Sequence, residues 1–139
     1  MMYQTILLAL DTSPADRAIV DHIKALGAMM GSRVVLLHVA TSAQAKWRGD
    51  DAAGEEVSES QKYLNGMQQE LESAGLTAQA VLCYGEPASE IVKYVESNNC
   101  DLIAMGTHGH RLLGDILHGF TASKVQHRVS VPVLLLRAR

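Results

Sequence analysis

The feature that most constrains this chain is an alternation. Short, nearly unbroken apolar runs take turns with longer segments whose apolar residues recur at helical spacing. The runs are "QTILLAL" (4–10), "RVVLLHVA" (33–40), "TAQAVLCY" (77–84), "DLIAMG" (101–106) and "VPVLLL" (131–136). A strand without a polar face must be covered on both sides, which is the position of a parallel strand between two layers of helix. Right-handed crossovers then leave few topologies. The expectation is an α/β fold: a doubly wound, five-stranded parallel sheet with helices on both faces. With 139 residues, no internal repeat and no linker, residues 1–139 read as a single domain.

The intervening segments carry helix punctuation. In "TSPADRAIVDHIKALGAMMG", Ser13 is placed to cap, Pro14 to take the first helical position and Asp16 the first turn. Ile19, Ile23, Leu26 and Met30 form the stripe, and Gly31 ends it. Residues 41–56, "TSAQAKWRGDDAAGEE", are polar and without period, so a long loop is expected there, with Trp47 as its anchor or as a cover for a ligand or partner surface. Leu64, Met67, Leu71 and Ala74 then mark a helix stopped by Gly75, and Ala88, Ile91, Val92 and Val95 mark another that begins at Pro87. A short helix is expected over 121–129.

Composition excludes several classes. Hydrophobic residues make up 47% of the chain, enough for a core without metals or disulfides. A formal net charge of −3 argues against nucleic-acid binding through a broad basic surface. Cys83 and Cys100 lie far apart, outside any CxxC pair, and read as reduced core thiols. The apolar run at the N-terminus is far below the ~20 residues of a membrane span and lacks a basic flank. A soluble, cytoplasmic protein is expected, with no membrane partner.

In sheets of this kind ligands bind beyond the C-terminal strand ends, where the strand order reverses. Two positions suit that crevice: Asp11, ending the first run, and Gly106, ending the fourth. Gly106 opens "GTHGHRLLGDILHGFTASKV", which is rich in glycine and histidine. Glycines let successive amides approach an anion, and a helix beginning near Gly119–Thr121 would add free N–H groups. Thr121, Ser123 and Lys124 could supply further donors. An equally good reading is that these glycines serve a turn and a close helix–sheet contact. No GxxxxGK[ST] is present, and no GxGxxG follows the first run, so neither a P-loop nor a dinucleotide fingerprint applies. "GTHG" has the short GxxG of KH domains, but in the wrong strand context and in an acidic chain. His108 and His110 fall short of a zinc ligand set, and no metal is expected. His38, in a strand, reads as a packing or surface residue.

From first run to last the chain resembles the universal stress proteins. The specific feature is their nucleotide pattern G-x2-G-x9-G followed by serine or threonine. Gly106 and Gly109 enclose Thr107 and His108, and the nine residues "HRLLGDILH" lead to Gly119. The resemblance implies an adenine nucleotide alpha-hydrolase-like, Rossmann-type fold and ATP as the ligand, with or without Mg²⁺. It implies that Asp11 contacts the adenine and Val39 flanks it. Gly106 would lie by the ribose and phosphates, with Gly109, Gly119 and the residues after it on the phosphate chain. Ala9, Met105, His108, Phe120 and Thr121 complete the implied contact set. Phe120 departs from the pattern: its ring cannot donate to phosphate, though its N–H can, and Thr121 offers a hydroxyl one place later. Such a bond to a charged group is worth about 1.5–3 kcal/mol.

The last run, with Pro132 near its start, suits a sheet edge. The resemblance implies a homodimer through Val131–Leu136. The expected role is an ATP-binding stress-response regulator. A dimeric module without nucleotide and a slow ATPase are the alternatives. No general base is placed to activate water, and no catalytic residue is expected.

Overall fold

In the computed structural model, residues 2–40, 42–107 and 113–138 are described, and of 42–57 and 113–120 the helical backbone alone. The elements alternate as β1 (Thr5–Ala9), α1 (Asp16–Met30), β2 (Arg33–Ala40), α2 (Ser42–Ser73), β3 (Thr77–Tyr84), α3 (Pro87–Asn98), β4 (Leu102–Thr107), α4 (Leu113–Arg128) and β5 (Val133–Arg137). The five strands form one parallel sheet in the order β3-β2-β1-β4-β5. The chain therefore winds outward from β1 on one side, returns to β4, and winds outward again. β1 and β4 flank the point of reversal.

Alternation along the strands separates two cores. Ile6, Leu8, Val34, Leu36 and Ala104 point to one face, where they meet Ile19, Val20 and Ile23 of α1 and Leu64 and Leu71 of α2. Leu7, Val35, Leu37, Ile103 and Met105 point to the other, against Ala88, Ile91, Val92 and Val95 of α3 and Ala122 and Val125 of α4. The unbroken apolar runs thus feed both layers, which is why they carry no polar alternation. Cys100 is buried in the second core and Cys83 is half-buried beside it, both unbonded. Burial pushes the Cys100 thiol up to about 11, so it stays protonated at neutral pH.

Three expectations about helices change. Residues 41–56 were expected as a loop, but α2 is one helix of 32 residues running through 42–56. Its second half is anchored by Leu64, Met67 and Leu71. Once that part is formed, each further residue adds a hydrogen bond for little entropy, and the Ala, Gln, Lys and Glu upstream are good helix formers. An apolar period is a signal of burial, and this segment extends without one. Secondly, α4 begins at Leu113 rather than at 121, so Gly119, Phe120 and Thr121 lie within the helix instead of in its first turn. Thirdly, α1 begins at Asp16, with Pro14 in the turn ahead of it. Ser13 still helps to hold that turn: its carbonyl accepts from the Asp16 N–H at 3.0 Å and its Oγ from the Ala15 N–H at 3.2 Å.

Other punctuation holds. Gly31 ends α1 in the left-handed conformation (φ 66°), donating back to the Gly27 carbonyl. Pro87 opens α3, where the Glu86 carboxylate accepts the Ser89 N–H at 2.6 Å. Both sheet edges are strands, β3 and β5, so Pro132 immediately precedes an edge as its missing N–H requires. On β3 the Gln68 side chain from α2 accepts the Ala80 N–H at 3.0 Å, occupying one edge donor.

Candidate nucleotide crevice

The candidate crevice is the reversal point beyond β1 and β4, where sheets of this kind take their ligands. In register Ala9 pairs with Met105, so Asp11 and Gly106 follow at neighbouring strand ends, as expected. Leu10 continues the β1–β2 pairing by one bond, donating to the Leu37 carbonyl at 2.8 Å. Its own carbonyl accepts from His38 Nδ1 at 2.9 Å, so that ring is a structural partner of the β1 exit. Since a carbonyl only accepts, the proton sits on Nδ1.

Ala9, Val39 and Met105 share the α3/α4 face of the sheet at its C-terminal margin, Met105 buried and the other two half-buried. They make a short apolar shelf. Gly106, one residue on, faces the opposite way. A Cβ there would stand 3.2 Å from the Ala15 carbonyl oxygen and 3.4 Å from Ile19 Cγ2. Its φ is not left-handed, so what demands glycine is the close approach of α1 to β4. Of the two readings open for this glycine, the helix–sheet contact is the one its surroundings display. Thr121 is half-buried in α4. His108, Gly109 and His110 lie outside the described residues, as do the side chains of Trp47 and Phe120.

Asp11 is held by an elaborate local network. Its Oδ1 accepts the Ser13 N–H at 3.0 Å, closing an Asx turn. Between them Thr12 has φ 64°, a left-handed conformation unusual for a β-branched residue. What sustains it is Asp16. Only 3% exposed, Asp16 turns its carboxylate back over the strand exit. It accepts the Asp11 N–H at 3.2 Å, the Thr12 N–H at 2.9 Å and the Tyr63 hydroxyl of α2 at 2.7 Å. Burial drives the Asp16 pKa up to about 7; the Tyr63 hydroxyl resists this, and the Asp11 carboxylate adds to it. Tyr63 is itself held above the usual phenol range, by burial and by its bond to Asp16.

Sequence reading assigned Asp16 to a helix first turn and Tyr63 no part at all. The acid is one turn from Asp11 and its burial is invisible in a first-turn pattern. Tyr63 precedes the stripe residue Leu64 and looks like an ordinary flank. Nothing in the chain marks two residues 47 apart as a pair.

A five-stranded parallel sheet of this order, with helices on both faces, defines a Rossmann-like α/β fold. The universal stress protein family model matches residues 2–137, and the chain belongs to that family. It is 28% identical over 158 aligned positions to universal stress protein MJ0577 of Methanocaldococcus jannaschii, covering 100% of this chain and 98% of that one. The solved MJ0577 structure superposes with a TM-score of 0.88 at 29% identity, covering 100% and 99% of the two chains. A universal stress protein in complex with cAMP gives 0.78 at 19% identity, with 100% of both chains covered. One from Archaeoglobus fulgidus in complex with dAMP gives 0.72 at 19%, covering 97% of this chain and 98% of that one. At 19% identity the likeness is one of fold. No described helix is long and apolar enough to cross a membrane.

Proposed function

We propose that this chain is a nucleotide-binding regulatory protein that takes ATP, with or without Mg²⁺, into the crevice beyond β1 and β4. The observation that carries the reading is the Asp11 loop, pinned by hydrogen bonds at the rim of the Ala9–Val39–Met105 shelf. A flat purine suits an apolar shelf, and a carboxylate accepts from an exocyclic amino group but repels a carbonyl oxygen. The glycine spacing of Gly106, Gly109 and Gly119 supports a phosphate path along the other side, with His108 and Thr121 as candidate donors; the Phe120 N–H, eight residues into α4, belongs to the helix ladder. Fold relatives crystallised with cAMP and dAMP support an adenine ligand. Unbonded Cys83 and Cys100 accord with a cytoplasmic setting.

The regulatory surface is the homodimer through Val131–Leu136. β5 is an edge strand and its Leu135 is 40% exposed, an apolar side chain on a row of backbone groups that a second copy can cover. Light scattering should give twice the chain mass for the native protein and a monomer for Leu135→Lys.

Isothermal titration with ATP tests the pocket. Saturable 1:1 binding, abolished in Asp11→Ala, is the expected result; no heat at millimolar ATP rejects it. The second reading, a dimeric module without nucleotide, draws on Phe120 and on the packing reason for Gly106. Dimer mass in light scattering together with silent ATP titrations would establish it.

A further inference from the structure

We propose that Asp16 and Tyr63 are positioning residues that set the base specificity of the crevice, making it select 6-aminopurines over 6-oxopurines by fixing where the Asp11 carboxylate points. The inference rests on the nucleotide reading above and deepens it.

The geometry is one of indirect control. Asp16 is almost fully buried, and it grips the backbone on both sides of the Asp11 peptide link. Its Oδ1 takes the Asp11 N–H at 3.2 Å and its Oδ2 the Thr12 N–H at 2.9 Å. Those two bonds hold Thr12 at φ 64°, and that turn in turn brings the Ser13 N–H to Asp11 Oδ1 at 3.0 Å. The direction of the Asp11 side chain is thus set from behind, by a carboxylate that is 3% exposed. Tyr63 fixes the carboxylate itself, donating to Oδ2 at 2.7 Å from another helix. A left-handed threonine costs free energy, and without its partners the loop relaxes toward ordinary conformations.

The chemical consequence concerns one substituent. An ionised carboxylate is acceptor-only, so held in place it favours an amino group at C6 of a purine and disfavours a carbonyl oxygen there. Let the loop wander and both the gain and the repulsion shrink together. The polyphosphate tail, bound elsewhere in the proposed site, does not depend on this direction.

The test titrates ATP, GTP and inorganic tripolyphosphate into wild-type protein, Tyr63→Phe and Asp16→Asn. Tyr63→Phe should weaken ATP about tenfold, the loss of one hydrogen bond's worth of order, and narrow the ATP-to-GTP ratio by a similar factor. Tripolyphosphate affinity should stay unchanged. Asp16→Asn, whose single oxygen can accept only one of the two amides while its NH₂ faces the other, should act in the same direction and more strongly. Amide hydrogen exchange of ligand-free protein provides a second readout that survives poor folding of Asp16→Asn: Asp11 and Thr12 should lose protection in Tyr63→Phe while β2 amides keep theirs. Equal weakening of ATP, GTP and tripolyphosphate, or unaltered exchange at Asp11 and Thr12, overturns the positioning role alone. Wild-type protein that binds no ATP overturns the nucleotide reading, and this inference with it.

Discussion

At the β1 exit the backbone is held by hydrogen bonds to a buried carboxylate, whereas at the β4 exit it is held by the absence of a side chain. Asp16 grips Asp11 and Thr12. Gly106 lets the Ala15 carbonyl oxygen approach to where a Cβ would stand only 3.2 Å from it. Both devices converge on the start of α1, where its first residue Asp16 serves one lip and the capping residue Ala15 the other. The difference is one of tolerance. A hydrogen-bonded lip can loosen by degrees and responds to pH; a steric lip has no intermediate setting. Perturbing each in turn shows whether α1 governs the crevice as a unit or merely borders it.

The largest effect expected is on the hydrogen-bonded lip, through pH. Asp16 ionises near the usual 3.8 in the unfolded chain and near 7 in the folded one, because burial opposes its charge, Tyr63 favours it, and Asp11 opposes it again. Arg17, next to Asp16 on α1, acts on Tyr63 in the lowering direction. Between those values the folded state binds the extra proton, so stability is greatest below pH 4 and falls as pH rises toward 7. A shift of that size sets a ceiling of about 4 kcal/mol on the swing. Urea midpoints taken from pH 4 to pH 8 should therefore decline in the wild type and run flatter in Asp16→Asn. Parallel curves would mean that Asp16 is not the titrating group.

The steric lip responds next. Gly106→Val should cost about 1–3 kcal/mol by driving α1 off β4, with nucleotide binding lost because both lips move. Gly106→Ala asks Ala15 to give by a few tenths of an ångström and should cost about 1 kcal/mol. Thermal melts of the two variants check the order. If Gly106→Val keeps wild-type stability and loses ligand, the glycine serves the phosphate rather than the helix, and the comparison of lips must be redrawn.

The layered fold was legible because its cause is local and repeated: each strand declares its burial by lacking polar residues, and each anchored helix by its stripe. That Asp11 and Gly106 sit at neighbouring strand ends was legible because each closes an apolar run, and the strand order puts those runs side by side. What escaped were features set by distant partners. α2 continues through 42–56 on the strength of an anchor downstream, so that stretch shows no period of its own. The Asp16–Tyr63 bond joins two helices whose contact no single segment encodes. The reason for glycine at 106 was ambiguous, since a phosphate and a helix backbone both demand an absent side chain, and the closeness of Ala15 that supplies the packing reason is set by tertiary structure.

The smallest effect sharpens the role of α1. On its solvent side Arg17 bonds Glu70 of α2 with Nη1 to Oε2 at 2.7 Å and Nη2 to Oε1 at 3.0 Å, and Lys24 adds a contact to the same Oε2 at 2.9 Å. The Arg17 bond, then that of Lys24, pulls the Glu70 pKa down from 4.5 to about 2. Its contribution is therefore present above pH 4.5 and disappears as pH falls toward 2, opposite in sign and separate in range from that of Asp16. Because Arg17 is half exposed, solvent screens the network, and Glu70→Gln should cost only about 0.5–1 kcal/mol at pH 7, less in high salt. Glu70 and Tyr63 both tie α2 to α1, yet only Tyr63 reaches the carboxylate behind Asp11. Glu70→Gln should thus lower the melting temperature slightly and leave the ATP-to-GTP ratio untouched. A changed ratio would show that the loop answers to the whole α1–α2 contact rather than to the one buried bond.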